Sequence, residues 1–339
     1  MTPFLLNLLC DPQNGSKLAL SNPIYEGDNI ISGNLNSSSG ELYPIVNGIP
    51  RFVKNFESKS VDSFGDEWNY FNFTDFKIQW LNHTIKNNFG SVNFFKDKII
   101  VDAGGGSGSQ TKWFLESGAK HVILLDLSHS VDGVVQRNLS NFKNVDVIQC
   151  SIDAPPLKPS SIDGIVYCHN VIQHTPSVEN TAKALWNIVG KDGEFVFNCY
   201  PLNDHGIFRY IRFHLIFKNL RKVLSKMPFR VILLYSTFFS ILRLIPLFGE
   251  IIEKLNFVIQ GDVPKVKGEK IATRLKRRYK AARHNTFDAF GSHYFQHYKS
   301  DFEILRLVIS LQTDVTKIDN LDKYFQRPQP IGTALRIKK

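Results

Sequence analysis

A run of glycines preceded by an acidic residue lies at residues 102–108, Asp102-Ala103-Gly104-Gly105-Gly106-Ser107-Gly108. The apolar run Ile99-Ile100-Val101 comes before it, and a helix-like run follows it. Glycines at such a junction allow a tight turn and let a ligand approach exposed backbone amides. A carboxylate at Asp102 suits a cationic ammonium group better than a pyrophosphate, because it only accepts hydrogen bonds. This pattern predicts a ligand site, although several classes of nucleotide-binding protein use a Gly-rich loop.

The details of the loop separate these classes. The nicotinamide fingerprint G-x-G-x-x-G would place its last glycine at Ser109 or Thr111, and no Gly-Lys-Ser/Thr completes a phosphate-binding loop. Asp126 ends the next apolar run, about 20 residues after the loop, where a carboxylate can accept hydrogen bonds from both ribose hydroxyls. A nicotinamide oxidoreductase is therefore disfavoured, and a nucleoside ligand with a cationic end is expected.

Residues 98–200 must position these groups, and here strand-like and helix-like runs alternate. Alternation of this kind predicts a parallel sheet with helices on both faces. The predicted strands are 99–101, 122–125, 145–150, 164–167 and 194–199, and the predicted helices are 109–117, 131–138 and 179–189.

Taken in order, these blocks resemble the motifs of class I S-adenosylmethionine (SAM)-dependent methyltransferases, especially the branch with the ubiquinone and menaquinone methyltransferases. The resemblance implies an α/β fold with a Rossmann-like, mostly parallel seven-stranded sheet, and SAM as the cofactor. It implies these cofactor-binding residues: Asp102, Gly104, Gly106, Gly108, Asp126, Leu127, Ser151, Ile152, Asp153 and His169. The family usually has an Asp in its third motif, but this chain has Ser151 there and Asp153 two residues later. Either residue could contact the adenine amino group.

His174 is the candidate catalytic residue, since a histidine near the transferred methyl group could act as a general base. The equivalent histidine occurs in family members with very different acceptors, which favours a structural role instead. Gly105 is expected to shape the turn, and Asp163 to cap a strand or turn.

Residues 1–54 contain short β-like runs broken by Gly, Asn, Pro and Ser, which predict a small β-rich module. The module resembles the zinc-ribbon activator of RNA and protein methyltransferases. A structural zinc site needs four Cys or His ligands, but only Cys10 remains, with Asn36 and Ser39 in the places of the second pair. We expect that the module binds no metal. It is expected either to brace the catalytic domain or to be an inert remnant of the fold. A helical segment at 55–97 leads into the sheet.

Residues 201–300 form a basic and mostly helical insertion, which we expect to cover the carboxyl ends of the strands and to select the acceptor. Its segment 229–252 is almost long enough to span a bilayer, but Arg230, Arg243 and Pro246 interrupt it. A pair of buried or interfacial helices is therefore expected. Ser300 and Glu303 are predicted to form a capping box at the start of a helix at 301–311. Residues 301–339 are thus expected to contain this helix and two strands, at 314–318 and 333–337, that complete the sheet.

The chain has 339 residues, a formal net charge of +10 and 43% hydrophobic residues, as expected of a folded protein that favours acidic partners. Scattered cysteines and no signal peptide predict a cytoplasmic protein, with peripheral contact to a membrane as a further option. A small-molecule, glycan or lipid-linked methyl acceptor ranks before RNA, for which no binding motif is present. A non-catalytic SAM-binding scaffold is the alternative from another class. The sequence leaves the oligomeric state open.

Overall fold

The computed structural model describes residues 1–53, 59–71, 73–202, 206–261, 263, 265–291 and 295–339. The chain forms two compact units. The first unit contains Met1–Glu57, Asn72–Pro201 and Phe295–Lys339, and the second contains Ser58–Phe71 and Leu202–Tyr294. The predicted boundary between residues 54 and 55 lies outside the described residues. The predicted segment 55–97 is divided, since residues 58–71 group with the second unit and the rest with the first.

A seven-stranded sheet organises the first unit. Its strands, in their order across the sheet, are β12 (Ile318–Asp319), β13 (Leu335–Lys338), β9 (Glu194–Phe197), β8 (Ile165–Cys168), β5 (Ile99–Ala103), β6 (His121–Asp126) and β7 (Val145–Gln149). The strands from β9 to β7 pair in parallel, whereas β13 is antiparallel to both β9 and β12. The predicted fold class is confirmed.

Helices cover both faces of the central strands, which explains why these strands are nearly continuous apolar runs. Residues 122–126 and 165–168 are buried throughout. Ser177 begins one of the covering helices by accepting a hydrogen bond from the backbone N–H of Asn180. The covering helices include α5 (Ser109–Glu116), α6 (Val134–Leu139) and α7 (Val178–Ile188), with 3₁₀ helices at His129–Asp132 and Ile172–His174.

The C-terminal part confirms one prediction and corrects another. Ser300 and Glu303 form the expected capping box at the start of α13 (Asp301–Leu311). The strand predicted at 314–318 is wrong. There the Asp314 side chain accepts a hydrogen bond from the backbone N–H of Thr316, which starts a 3₁₀ helix at Val315–Lys317 and leaves only the two residues of β12 extended. Helix α14 (Leu321–Phe325) leads to β13.

Residues 1–53 form a four-stranded antiparallel sheet and one short helix. The strands are β1 (Ala19–Glu26), β2 (Asn29–Asn36), β3 (Leu42–Val46) and β4 (Ile49–Pro50). Helix α1 (Pro3–Leu8), which the sequence did not predict, begins at Thr2, whose hydroxyl accepts a hydrogen bond from the backbone N–H of Leu5. Leu5 belongs to the same buried apolar cluster as Val101 and Val166 of the large sheet, so the module shares its core.

The Asp11 carboxylate holds the loops of this module together. It accepts hydrogen bonds from the hydroxyls of Ser37, Ser39 and Tyr43, at 3.3 Å for Ser39 and 3.1 Å for Tyr43, and from the backbone N–H of Gln13 at 2.9 Å. Burial alone would raise the pKa of Asp11, but these hydrogen bonds outweigh it and lower the pKa. A network of hydrogen bonds around one carboxylate therefore stabilises the loops.

Further helices precede the large sheet. They are α3 (Lys77–Gln79), the π-helix Trp80–Ile85 and α4 (Lys86–Asn88), with 3₁₀ helices at Phe73–Phe76 and Val92–Phe95. Trp80 packs against Phe95, Trp113 and Phe114 in a second buried cluster of the first unit. Because Trp113 and Phe114 belong to α5, this packing attaches the π-helix to a covering helix of the sheet. The first unit also contains a short parallel pair, β10 (Tyr200–Pro201) and β11 (Tyr298–Lys299).

The described part of the second unit contains helices joined by turns and loops, and no strand. Its helices are α2 (Lys59–Tyr70), α8 (Ile207–Tyr210), the π-helix Ile211–Phe217, α9 (Lys218–Leu224), α10 (Phe229–Leu242), α11 (Phe248–Lys254) and α12 (Ile271–Phe290). Aromatic contacts connect the two chain segments of the unit, with Tyr70 against Phe229 and Phe71 against Phe287. Residues 229–252 form two helices, as predicted. Across the described residues, no helix is both long enough and apolar enough to span a membrane.

Candidate functional site

The Gly-rich loop turns sharply over the end of β6. The backbone N–H groups of Gly104 and Gly105 both donate to the Leu125 carbonyl, at 2.7 and 3.1 Å. Gly104 has φ +82°, and a Cβ atom there would lie 2.3 Å from Cγ1 of Val171. A Cβ atom at Gly105 would lie 2.5 Å from the Leu124 side chain. These two glycines are therefore required by the turn and by close packing, in line with the expectation for Gly105.

Asp102 lies near the end of β5 with its carboxylate buried. Its Oδ2 atom accepts a hydrogen bond from the hydroxyl of Thr111 in α5 at 2.6 Å. Burial raises the pKa of Asp102 to about 7, against the effect of the Thr111 hydrogen bond and with a further contribution from the charge of Asp126. A buried carboxylate of this kind ionises most readily beside a cation.

Asp126 ends β6, and the Gly-rich loop wraps around its carboxylate. Oδ2 accepts the backbone N–H of Gly106 at 2.8 Å, while Oδ1 accepts the backbone N–H and the hydroxyl of Ser128 at 2.8 and 2.6 Å. The hydroxyl of Ser130 donates to the Gly106 carbonyl, which connects the 3₁₀ helix after β6 to the Gly-rich loop. Burial raises the pKa of Asp126, although these hydrogen bonds oppose the shift. Gly106 and Ser128 together therefore fix the position of the Asp126 carboxylate.

The next strand brings the third group of candidate residues to the same edge of the sheet. β7 lies beside β6, and residues 151–153 follow its carboxyl end. Ile152 is buried in the core, while Ser151 and Asp153 are half-buried, so both polar candidates remain at the end of the strand. Leu127 is half-buried directly after β6. Because the ends of neighbouring parallel strands meet at one edge, these residues lie on the same side of the sheet as Asp102 and Asp126.

A buried glutamine connects the N-terminal module to this edge. The side chain of Gln149, the last residue of β7, donates to the carbonyls of Leu127 and Ser128 at 3.2 and 3.3 Å. Its Oε1 atom accepts a hydrogen bond from Arg51 at 2.8 Å, and Arg51 also pairs with Asp132. The backbone of residues 51 and 52 pairs with Gln149, so the module adds to the edge of β7.

The two candidate histidines follow β8. Nε2 of His169 lies 3.2 Å from the Gly332 carbonyl, so in the neutral ring this nitrogen carries the proton. Burial lowers the pKa of His169 to about 4, which keeps the ring neutral at physiological pH. Nδ1 of His174 lies 3.1 Å from the Phe295 carbonyl, and its ring packs edge-on against Tyr200. The Phe295 contact gives the neutral His174 ring its proton on Nδ1.

Sequence reasoning missed Thr111, Ser128, Ser130, Gln149 and Arg51. The signals for Thr111, Ser128 and Ser130 were only that short polar residues follow the glycine loop and Asp126. The signal for Gln149 was a polar side chain in an apolar, strand-like run. Asp163, expected to cap a strand or turn, is exposed, and its Oδ1 lies 3.5 Å from the backbone nitrogen of Asp192.

The site fits SAM in its chemistry. Two buried carboxylates with raised pKa values lie at the ends of adjacent strands, next to a loop whose glycines leave no side chain between ligand and backbone. A ligand with a cationic amino acid end and ribose hydroxyls would satisfy both carboxylates. Over the described ranges, no group of three or more His, Cys, Asp and Glu residues could hold a metal ion.

Residues 101–197 match the model of a family described as "Methyltransferase domain". The chain therefore contains a methyltransferase domain in the part that carries the loop and both carboxylates, and SAM is the cofactor of that domain. Among curated proteins, none matches the chain.

Three solved structures match part of this chain. A protein from Listeria monocytogenes, described as an SAM-dependent methyltransferase, is 21% identical over 33% of this chain and 58% of its own, with a TM-score of 0.28. An SAM-dependent methyltransferase from Mesorhizobium loti is 24% identical over 30% of this chain and 46% of its own, with a TM-score of 0.28. A complex from Haloferax volcanii, described as the Trm112 methyltransferase activator with a methyltransferase, is 19% identical over 40% of this chain and 59% of the matched chain, with a TM-score of 0.34. The chain thus spans less than three fifths of each of these structures.

Proposed function

We propose that this protein is an enzyme that transfers the methyl group of SAM to a small-molecule, glycan or lipid-linked acceptor. The observation that carries the proposal is the pair of buried carboxylates, Asp102 and Asp126, around the Gly-rich loop of a matched methyltransferase domain.

SAM, when bound, would supply an electrophilic methyl group on a sulfonium. An acceptor would take this group by in-line displacement, the methyl–sulfur bond would break to leave S-adenosylhomocysteine, and a proton lost by the acceptor would pass to water. In this proposal the ionised Asp102 binds the ammonium group, and Asp126 accepts hydrogen bonds from the ribose hydroxyls. Ile152 provides an apolar contact for the adenine, and Ser151 or Asp153 binds its amino group. Such a reaction depends mainly on proximity, alignment and exclusion of water, so the chain needs no dedicated base.

We propose a positioning role for His174 rather than proton transfer. Its Nδ1–H donates to the Phe295 carbonyl, and the neighbouring Thr175 carbonyl faces Nε2 of His297 at 3.0 Å. The backbone N–H of His297 donates in turn to the Gln173 carbonyl. These three contacts support a role for residues 173–175 in anchoring the returning chain at Phe295.

We propose that the N-terminal module is a metal-free relative of the zinc-ribbon activators and that it braces the cofactor site. The contact from Arg51 through Gln149 to the carbonyls of Leu127 and Ser128 supports this role, because those residues follow Asp126 directly. The Asp11 network would take the place of metal ligands in holding the loops. Within the methyltransferases, the order of motifs favours the branch of the ubiquinone and menaquinone enzymes.

The test of the cofactor site is calorimetric titration with SAM and, separately, with NADH. We expect saturable binding of SAM only, and its loss in Asp126→Ala, which removes the ribose acceptor, and in Gly106→Arg, which places a side chain at a residue with φ +56°. The exposed Asp163→Ala serves as the control and should bind like the wild type. Binding of NADH, or SAM binding that Asp126→Ala leaves unchanged, would refute the assignment.

The acceptor class is tested with SAM labelled in its methyl group. Purified protein is incubated with separate fractions of small metabolites, extracted lipids and glycolipids, and RNA. Label in the first two fractions supports the proposed acceptor. Label in RNA alone indicates an RNA methyltransferase, and SAM binding without label in any fraction indicates a scaffold.

A further inference from the structure

The second unit carries the whole net charge of the chain. Residues 58–71 and 202–294 hold 19 Lys and Arg against nine Asp and Glu, a net charge of +10, whereas the rest of the chain holds 22 of each. Residues 206–249 contain eight basic residues and no acidic one. The eight are Arg209, Arg212, Lys218, Arg221, Lys222, Lys226, Arg230 and Arg243.

The same unit exposes an unusual number of large apolar side chains. Of the 30 that are exposed among the described residues, 19 belong to the second unit, which has 107 of the 339 residues. Exposed apolar clusters of this density mark surfaces that bind proteins or membranes.

Helix α10 shows this exposure most directly, because large apolar side chains cover its outward face. Ser236 and Ser240 are fully buried, whereas Leu234 and Phe238 are 70% and 57% exposed. The exposed set recurs at helical spacing along one face, which continues just beyond the helix end. We call this the apolar face, and it consists of Val231, Leu234, Phe238, Ile241 and Ile245.

Basic residues precede this face, and apolar ones extend it. Lys222, Lys226 and Arg230 are exposed just before and at the start of α10. After Pro246, Leu247 and Ile251 are 77% and 54% exposed. A helix that exposes an apolar face beside basic residues binds at the interface of a bilayer, with its apolar side chains among the acyl chains and the cations at anionic headgroups.

We propose that the second unit docks on a membrane surface that contains anionic phospholipid, through the apolar face of α10 and the basic residues before it. Charge argues against a second copy of the chain on this face, since it would bring together two units of net charge +10. No described helix could span the bilayer, so the contact is peripheral. The proposal stands independently of methyl transfer.

The test is flotation of the full-length protein with two kinds of vesicle, phosphatidylcholine alone and phosphatidylcholine with phosphatidylglycerol. We expect binding to the anionic vesicles, at least about tenfold tighter than to the neutral ones, and weaker at high salt. Leu234→Glu/Phe238→Glu should abolish binding, because two charges would enter the acyl region. Lys222→Gln/Lys226→Gln/Arg230→Gln should lose most of the preference for anionic lipid.

The matched control is Ile24→Glu/Leu42→Glu, which adds the same two charges at residues that are 57% and 56% exposed in the N-terminal module. It should bind vesicles like the wild type. Circular dichroism of each variant checks that its helices are intact. Absence of vesicle binding by the wild type, or binding that Leu234→Glu/Phe238→Glu leaves unchanged in a folded protein, overturns the proposal. A wild-type dimer that the same variant converts to a monomer, seen by light scattering without vesicles, would assign the face to a second copy instead.

Discussion

In its proposed role beside the ammonium group, Asp102 is predicted to make cofactor binding depend on pH. Its pKa is raised to about 7 by burial, so below that pH the carboxyl is largely neutral, whereas a bound ammonium group favours the ionised form. Binding therefore releases a proton at lower pH. We expect the Kd for SAM to rise about tenfold for each pH unit below the pKa and to be nearly constant above it.

Titration calorimetry between pH 5.5 and 8.5, in two buffers of different ionisation enthalpy, measures both the Kd and the proton release. Asp102→Asn should bind SAM more weakly and flatten the pH dependence, while the exposed Asp163→Asn should behave like the wild type. A wild-type Kd that stays constant across this range would contradict the role of Asp102.

Gly104 is a second test at the scale of single residues. Gly104→Ala would strain a backbone with φ +82° and would force a Cβ atom against Val171. We expect a loss of stability of more than about 1 kcal/mol, measured by chemical denaturation. Val171→Ala in the same chain should recover part of the loss, because it removes the two closest contacts, with Cγ1 and Cγ2, but leaves the Cβ atom of Val171 3.0 Å away and the backbone strain in place. No recovery would show that the strain alone accounts for the effect.

At the scale of elements, hydrogen bonds to Asp11 hold the loops of the N-terminal module together, and we propose that they take the place of metal ligands. Asp11→Ala would leave the buried hydroxyls of Ser37 and Tyr43 without their acceptor, and we expect a cost of about 1–3 kcal/mol in the free energy of unfolding. Because the folded-state pKa of Asp11 is lowered, its contribution is present above the unfolded pKa of about 3.9 and is lost as the pH falls through the folded value.

Denaturation of wild type and Asp11→Ala from pH 3 to pH 8 measures this contribution. The difference between them should be constant from pH 5 to pH 8 and should shrink below pH 4. Tyr43→Phe removes one hydrogen bond only and should cost less. A difference that grows towards low pH would contradict the lowered pKa.

The contact between Arg51 and Gln149 tests whether the N-terminal module braces the cofactor site. Arg51→Ala removes one hydrogen bond of a buried glutamine that also donates to the loop after Asp126. We expect SAM affinity to fall about threefold to tenfold, with a lower melting temperature. Lys77→Ala breaks the more exposed pair with Glu116 and should leave SAM affinity unchanged. A stability loss in Arg51→Ala with wild-type SAM affinity would limit the module to a structural role.

Elements with local signals were predictable, and those that depend on distant contacts were not. The strands around Ile100 and Ile123 were evident because buried parallel strands need continuous apolar runs. The loop and Asp126 were evident because their spacing is local. In contrast, the Gln149 network depends on residues that lie close together only after folding. At 314–318, the hydrogen bond that the Asp314 side chain accepts from the backbone N–H of Thr316 favours a 3₁₀ helix over the predicted strand.

At the scale of the whole molecule, the candidate cofactor residues belong to one unit of the chain and the net positive charge belongs to the other. The sequence showed a basic insertion, but the grouping of residues 58–71 with 202–294 depends on contacts such as Phe71 with Phe287, which have no local signature. With that grouping the distribution of charge is clear, since the first unit has no net charge and the second has a net charge of +10. We therefore expect that cofactor binding and membrane binding can be disturbed separately.

Hydrogen exchange measured by mass spectrometry should reveal this separation. SAM at 100 times its Kd stabilises the unit that binds it by about 2.7 kcal/mol, so amides that exchange through unfolding of that unit should slow about 100-fold. Peptides at 99–108, 121–130 and 145–153 should respond to SAM, and peptides at 229–254 should not. Anionic vesicles should protect 229–254 and leave the SAM-responsive peptides unchanged, whereas Leu234→Glu/Phe238→Glu should abolish only the vesicle effect. Slower exchange at 229–254 on addition of SAM alone would show that the two units are coupled, because a ligand confined to one unit gives no reason for the other to open less often.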